Sequence, residues 1–227
     1  MNILCLDTSG GACSAAIARN DKIIAEQYTD NGLTHSATLM GLIDGCFKRS
    51  GLRPEQLDLV AVTNGPGSFT GLRIGMSTAK AFAQSCNCPI VQVGTLSALI
   101  ANFSWLREGI VCAMIDARHA RAFSCAVRQG KEILRPDTYS VAEIQAFLQQ
   151  YSGEQILLTG DGSDAYGADI VAQLPGAQTA PAHLRYVRAS ALAEIACRQM
   201  QQGNTFSAYD AALEYFVASQ AERNMKK

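Results

Sequence analysis

The feature that most constrains this chain is a glycine-rich loop between a buried strand and a helix. The apolar run 57–62 predicts the strand, and the residues that follow read Thr-Asn-Gly-Pro-Gly-Ser-Phe-Thr-Gly-Leu-Arg. Gly65 and Gly67 allow backbone conformations that other residues avoid, and Ser68 and Thr70 are both suitable N-caps for the helix. A loop with so few side chains predicts close approach to its backbone by a ligand, and the alternative is a tight turn without one.

A polar turn near the N-terminus is the second motif. Apolar runs predict strands at 2–7 and 12–19, joined through Asp-Thr-Ser-Gly-Gly. Asp7, Thr8 and Ser9 with the two glycines could face an anion, since actin-like and sugar-kinase-like ATPases hold phosphates and hydrated magnesium at such a turn. The alternative is ordinary hairpin chemistry, in which the Asp and Ser side chains bond their own backbone.

Two helices carry faces suited to helix–helix contact. The helix predicted at 33–50 places bulky apolar side chains four residues apart, and the helix predicted at about 70–85 carries small residues at the same spacing. Bulky anchors opposite a small-residue stripe permit close crossing, so we predict an interface with another chain, with packing inside this chain as the alternative. The predicted interface residues are Leu39, Ile43, Phe47, Gly71, Gly75 and Ala79.

The two halves of the sequence begin alike. Each opens with a meander of strands, the first of which ends in an aspartate, Asp7 or Asp116, and each continues with helix and strand. This pattern predicts a duplicated ribonuclease-H-like unit with an eroded second copy, divided as residues 1–105 and 106–227. The remaining predicted strands are 22–28, 90–93, 110–116, 121–128, 131–134 and 156–159, and the remaining helices are 95–104, 141–150 and 189–202.

Three segments together resemble the bacterial TsaB family, also called YeaZ. They are 3–9, the helix start 35–37, and 64–75, and their order and spacing also match that family. Residues 115–118 resemble the turn that opens the family's second domain, and the likeness is strongest before residue 125. The resemblance implies an α/β, two-lobed actin-like ATPase fold (ASKHA, ribonuclease-H-like), with duplicated βββαβα units and a degenerate second lobe.

The resemblance also implies a function by assembly. The chain would be a non-catalytic scaffold, a pseudo-enzyme that works with a TsaD-like catalytic subunit and a TsaE-like ATPase. Together they would transfer threonylcarbamoyl to adenosine 37 of tRNAs that read codons starting with A. The chain alone would form a homodimer, tRNA would be reached through the complex, and ATP and magnesium would enter through the partners.

The residues give less support to catalysis by this chain alone. The resemblance implies a His-x-x-x-His metal pair in TsaD, but here His35 is followed four residues later by Leu39, and His119 and His183 lie far apart, so we predict no metal site. No serine or cysteine can be matched with a base, so no catalytic residue is predicted and peptidase activity is disfavoured.

An independent ATPase or phosphotransferase is the alternative function, with Asp7, Thr8, Ser9, Gly65 and Gly67 as its phosphate turn. The second half offers only residues 116–118 and 159–162 as a counterpart, and the first of these carries an arginine where a phosphate hairpin usually has glycine. We therefore predict that the turn is vestigial.

Composition limits which binding partners and which cellular compartment we expect for this chain. The 227 residues are 48% hydrophobic and carry a net charge of −1, so no global field attracts nucleic acid. No export signal or membrane-spanning run is visible, and the eight cysteines are scattered through apparent core elements. We therefore expect reduced thiols, a cytoplasmic location and no membrane partner.

Overall fold

The computed structural model describes residues 1–20 and 22–213, and it contains ten strands and six α-helices within them. The strands are β1 (Asn2–Asp7), β2 (Cys13–Arg19), β3 (Lys22–Thr29), β4 (Leu59–Gly65), β5 (Ile90–Gly94), β6 (Ile110–Asp116), β7 (Arg121–Arg128), β8 (Lys131–Ser140), β9 (Ile156–Thr159) and β10 (Ala177–Thr179). The helices are α1 (His35–Ser50), α2 (Phe69–Cys86), α3 (Thr95–Ala101), α4 (Val141–Gln149), α5 (Asp161–Gln173) and α6 (Ala191–Gln201).

The strands form two five-stranded sheets of the same topology. The first has the order β3-β2-β1-β4-β5 and the second the order β8-β7-β6-β9-β10. In each sheet the three meander strands pair antiparallel, and the two strands that follow helices pair parallel with their neighbours. The predicted two-lobed α/β fold with duplicated units is thereby confirmed. The first copy has its fifth strand, β5, where a strand was predicted at 90–93. The second copy gains an unpredicted fifth strand, β10, and keeps the topology with shorter helices.

The chain divides into two compact units at positions that differ from the predicted boundary. Of the described residues, the first unit contains those from Met1 to Thr95 and residues 189–213, and the second contains Leu96–Arg188. The chain re-enters the first unit just before α6, where three hydrogen bonds attach it. The Ala189 N–H donates to Ser14 Oγ at 3.0 Å, and the Ser190 N–H and hydroxyl both donate to Glu26 Oε1. Because α6 packs against β5, β4 and β1, it belongs with the first sheet and not with the predicted second lobe.

The core of the first unit lies on its central strands. β1 and β4 are buried along nearly their whole length, as expected for strands covered on both faces, and α1 and α2 pack against the sheet. The second unit has its own core on β6 and β9, covered by α4 and α5. No helix in the described part of the chain is long and apolar enough to cross a membrane.

Two elements, α5 and β10, are missing from the sequence-based prediction. α5 begins Asp-Gly-Ser-Asp-Ala-Tyr-Gly, which combines residues of low helix propensity with no clear apolar stripe. The helix forms because tertiary contacts override this local preference: Gly162 lies against the backbone of Met114, where a Cβ would come within 2.9 Å of Met114 C. β10 has only three residues, too few for a periodic signal.

Candidate functional site

The polar turn after β1 is buried and satisfied by its own chain. Asp7 is 1% exposed, and its Oδ1 accepts hydrogen bonds from Ser9 Oγ at 2.6 Å, Ser9 N at 3.2 Å and Thr63 Oγ1 at 2.8 Å. Thr63 lies on β4, so the neighbouring parallel strand helps to hold the carboxylate. Burial raises the pKa of Asp7 above its ordinary value of 3.8, and the hydrogen bonds from Ser9 and Thr63 oppose that shift.

The glycine-rich loop and α2 close directly over this turn. The Ser68 N–H donates to Ser9 O at 2.7 Å, and Thr8 Oγ1 donates to Gly71 O at 2.7 Å. Ser68 also caps α2, because its hydroxyl accepts from the Gly71 N–H at 3.2 Å. The close approach predicted for this loop is therefore made by the backbone of the N-terminal turn.

The structure explains why α2 and the loop before it carry glycines. A Cβ at Gly67 would lie 2.3 Å from Ser9 O, one at Gly71 would lie 2.1 Å from Thr8 O, and one at Gly75 would lie 2.4 Å from Thr8 Oγ1. No real side chain tolerates such distances, so these three positions require glycine for the turn to dock. The predicted phosphate-turn residues are thus brought together, Gly65 among them at the end of β4, but they are packed on one another.

Asp7 gives a prediction that separates hydrogen bonding from charge. Because its pKa is raised in the folded state, the native state holds the proton at pH values where the unfolded chain has lost it, so Asp7 lowers the free energy of unfolding as pH rises through that window. We expect Asp7→Asn to keep the acceptor, remove this pH dependence and raise stability at neutral pH. Denaturant unfolding across pH measures both effects.

The matched variant is Asp7→Ala, which leaves the hydroxyls of Ser9 and Thr63 without their acceptor. It should unfold about 2 kcal/mol more easily than Asp7→Asn, as expected for buried donors that lose their partner. Equal stability of the two variants at neutral pH would show that the hydrogen bonds to Asp7 are not structural.

The counterpart turn in the second unit follows β6 and is built differently. Asp116 accepts from the Arg118 N–H at 2.8 Å and from Tyr166 OH at 2.6 Å, and the Arg118 guanidinium lies 3.4 Å from its other oxygen. Its own N–H donates to Asp161 Oδ1 at 3.0 Å, and burial raises the pKa of Asp161. The arginine that the sequence places at this turn therefore pairs with the aspartate that a metal–phosphate group would need.

An open groove runs between α1 and α2 in the first unit. Its volume is about 520 Å³. Met40 is 54% exposed and Phe69 is 38% exposed, and the Arg73 guanidinium stacks 3.8 Å above the Phe69 ring centroid. The groove is lined by His35, Ser36, Leu39, Met40, Phe69, Thr70, Arg73, Ile74, Ser77 and Thr78.

Most of the residues predicted for an interface are buried within the first unit itself. Leu39 and Ile43 are each 1% exposed and Ala79 is fully buried, because all three point into the core of the first unit. The stripe positions Gly71 and Gly75 are filled by Thr8, as described above. Substitutions at these five positions therefore test folding and not association.

The sixth predicted residue, Phe47, is half-buried and stacks on Phe82 with ring centroids 6.0 Å apart. The exposed apolar residues at the groove are Met40 and Phe69, with Ile74 partly buried beside them. In the sequence, Met40 is an apolar residue of α1 that lies outside the stripe formed by Leu39 and Ile43. That position was the one sequence feature from which its exposure could have been predicted.

His35 joins the groove to the polar turn. Its Nε2 lies 2.9 Å from Gly10 O, and because a carbonyl can only accept, Nε2 carries the proton. Its Nδ1 is buried and has no hydrogen-bond partner among the residues that the structure describes. Within residues 1–20 and 22–213, no group of three or more His, Cys, Asp or Glu side chains is placed to hold a metal.

The sequence matches both a family model and individual known proteins. The TsaD family model, described as tRNA N6-adenosine threonylcarbamoyltransferase, matches residues 24–217. The chain is 30% identical over 224 residues to the tRNA threonylcarbamoyladenosine biosynthesis protein TsaB of Haemophilus influenzae, with 92% of this chain and 91% of the relative covered. It is 35% identical to the Bacillus subtilis protein of the same name, but that match covers 55% of this chain and spans only 54% of the relative's length.

Solved structures agree on the fold. A Pseudomonas aeruginosa protein, described as uncharacterized with similarity to peptidase YEAZ, superposes with a TM-score of 0.76 at 22% identity, covering 95% of this chain and 99% of that chain. The activator of 2-hydroxyisocaproyl-CoA dehydratase from Clostridium difficile, solved with bound ADPNP, gives 0.54 at 10% identity, covering 90% and 97%. These likenesses show the fold alone. On the sequence matches, the chain belongs to the TsaB (YeaZ) family, within the wider group matched by the TsaD model.

Proposed function

We propose that this chain is a non-catalytic scaffold subunit in the formation of tRNA threonylcarbamoyladenosine. It works with a TsaD-like catalytic subunit and a TsaE-like ATPase, which together transfer threonylcarbamoyl to adenosine 37 of tRNAs that read codons starting with A. Its relatives' names support the pathway, and the closed turn of the first unit supports the non-catalytic role.

The observation that carries the proposal is the closure of the phosphate turn. A nucleotide-binding turn must present its carboxylate and backbone N–H groups to a ligand, but Asp7 is buried and the Ser68 N–H is bonded to Ser9 O. In an independent ATPase, the packing around Asp7 would have to open before a nucleotide could bind there. In the second unit, the corresponding aspartate, Asp116, is already paired with Arg118. The site chemistry therefore favours assembly over turnover, with ATP and magnesium bound by the partners.

The α1–α2 groove is the surface proposed for association with the catalytic subunit. It presents apolar side chains beside polar ones in a shallow channel between two helices, which suits helices of a partner chain. The same surface serves a homodimer when the chain is alone, so self-association and binding to the catalytic subunit should compete. tRNA is reached through the assembled complex.

A threonylcarbamoylation assay on unmodified tRNA tests the proposal. It compares the chain alone, a TsaD-like and TsaE-like pair alone, and all three with ATP. We expect modification only in the full mixture and no ATP hydrolysis by the chain alone. Modification that does not depend on the chain, together with ATP hydrolysis by it, would overturn the scaffold role in favour of the independent ATPase.

A further inference from the structure

Two Asn-Gly pairs occur in the chain, and the structure places them in opposite environments. The first is Asn31 with Gly32, and the second is Asn64 with Gly65. Asn31 and Gly32 are both exposed, in the loop between β3 and α1. Asn64 is 6% exposed and lies with Gly65 in β4, which pairs with β1 on one side and with β5 on the other. Only the first pair is therefore open to water and outside a sheet.

An Asn-Gly pair can undergo a covalent reaction without any enzyme. The main-chain nitrogen of the glycine attacks Cγ of the asparagine, because glycine has no β-carbon to crowd the approach. The new Cγ–N bond closes a five-membered succinimide ring. The Cγ–Nδ2 bond breaks, and the leaving group takes the proton of the glycine nitrogen and departs as ammonia. Water then opens the ring at either carbonyl, which gives aspartate or isoaspartate.

The hydrogen bonding of the first loop favours this reaction at Asn31. The Leu33 N–H donates to Asn31 Oδ1 at 3.1 Å. Negative charge develops on this oxygen when the nitrogen attacks Cγ, so a donor already aimed at it stabilises the transition state. Within residues 1–20 and 22–213, the Gly32 N–H donates no hydrogen bond that would have to break first. The attacked carbonyl is thus polarised, and the attacking nitrogen is not held elsewhere.

The second pair is protected by its place in the sheet. Closing the ring would turn the main chain between Asn64 and Gly65 out of the strand conformation, so β4 would have to leave β1 and β5. Asn64 Oδ1 is buried and has no donor among the described residues, so nothing there stabilises the developing charge. Because β4 is central to the core of the first unit, its opening requires that unit to unfold.

We propose that Asn31 is a site of spontaneous deamidation in the native protein, with water as the only co-reactant. Both products carry a carboxylate in place of the neutral amide and so add one negative charge to the net charge of −1. Isoaspartate also lengthens the main chain between residues 31 and 32. The change falls shortly before α1, whose first residue, His35, contacts Gly10 O and lines the α1–α2 groove. The reaction requires no partner and is independent of the proposed function.

Peptide mapping of the aged native chain tests the proposal. The full chain is kept at mildly alkaline pH, where the attacking nitrogen loses its proton more readily, and samples are digested at intervals for mass spectrometry. We expect the Asn31 peptide to gain the mass difference between an amide and a carboxylic acid at least about a hundredfold faster than the Asn64 peptide, because a core strand reacts only through unfolding. In denaturant, the two pairs should react at similar rates.

Two results of this experiment would overturn the proposal. One is a native chain in which Asn31 and Asn64 react at similar rates. The other is a native chain in which Asn31 reacts no faster than Asn204, which is also exposed but is followed by threonine, whose side chain crowds the attacking nitrogen.

A matched pair of variants tests the role of the Gly32 nitrogen. Gly32→Ala should slow the mass gain at residue 31 about tenfold, because the added β-carbon crowds the attack and raises its barrier. Gly203→Ala is the control: both glycines have positive φ, +73° and +77°, and a Cβ at either meets nothing within 4 Å, but Gly203 does not follow an asparagine. It should leave the reaction at Asn31 unchanged. An equal rate in Gly32→Ala and the parent chain would overturn the proposal.

Discussion

Gly71→Ala should lower the free energy of unfolding by about 3 kcal/mol, the upper end of what overpacking a buried site usually costs. The added Cβ would lie 2.1 Å from Thr8 O and 2.9 Å from His35 Cδ2, and neither α2 nor the turn after β1 can move away without breaking the hydrogen bond from Thr8 Oγ1 to Gly71 O. The turn and the helix must therefore separate. Chemical denaturation with an intrinsic or circular-dichroism signal measures the change.

Gly41→Ala is the matched control, since Gly41 is also a helical glycine but a Cβ there would meet nothing within 4 Å. It should raise the free energy of unfolding by about 0.5 to 1 kcal/mol, because alanine restricts the unfolded chain and favours the helix. If the two variants changed stability alike, the docking of the turn against α2 would not be what demands glycine at position 71.

Met40→Glu should reduce association with the TsaD-like subunit by about thirtyfold or more, the effect of losing an interface hot spot. Met40 is 54% exposed at the α1–α2 groove, so a charge there leaves the core intact and must be desolvated only when a partner covers it. Threonylcarbamoylation in the full mixture should fall with it. Light scattering of the mixed proteins and the modification assay provide the two readouts.

Two controls accompany this variant. Met40→Leu keeps an apolar side chain of similar volume and should associate like the parent chain. Val171→Glu places the same charge at an exposed apolar position of the second unit and should leave assembly unchanged. Intact complexes with Met40→Glu would contradict the assignment of the groove as the association surface, while the scaffold role itself would still be judged by the modification assay.

The strands and long helices were largely predictable because their signals are local. The bounds of β6, β7 and β9 agree with the prediction residue for residue, since buried runs between turn residues leave little choice. The unpredicted α5 shows the opposite case, because its glycines and aspartates disfavour a helix until the sheet is there to pack against. The domain boundary was misplaced for a related reason: the attachment of Ser190 to Glu26 joins residues that lie 164 positions apart.

The site shows the same division between local and long-range information. The glycines at 67, 71 and 75 were identified from the sequence as positions of close approach, but their neighbour proved to be the chain's own Thr8 and Ser9. The spacing of Leu39 and Ile43 identified an apolar face, yet an apolar stripe at helical spacing describes a core face and a docking face equally well.

What the sequence by itself determined is therefore the duplicated α/β fold, the two motifs and the family, because each is written in local patterns of apolar, glycine and turn residues. Only the tertiary structure decided which surfaces remain open. It packs the turn at Asp7 beneath the glycine loop, turns Leu39 and Ile43 inward, and leaves Met40 and Asn31 outside. Burial depends on contacts between residues distant in the chain, and local sequence patterns do not show which of these contacts form.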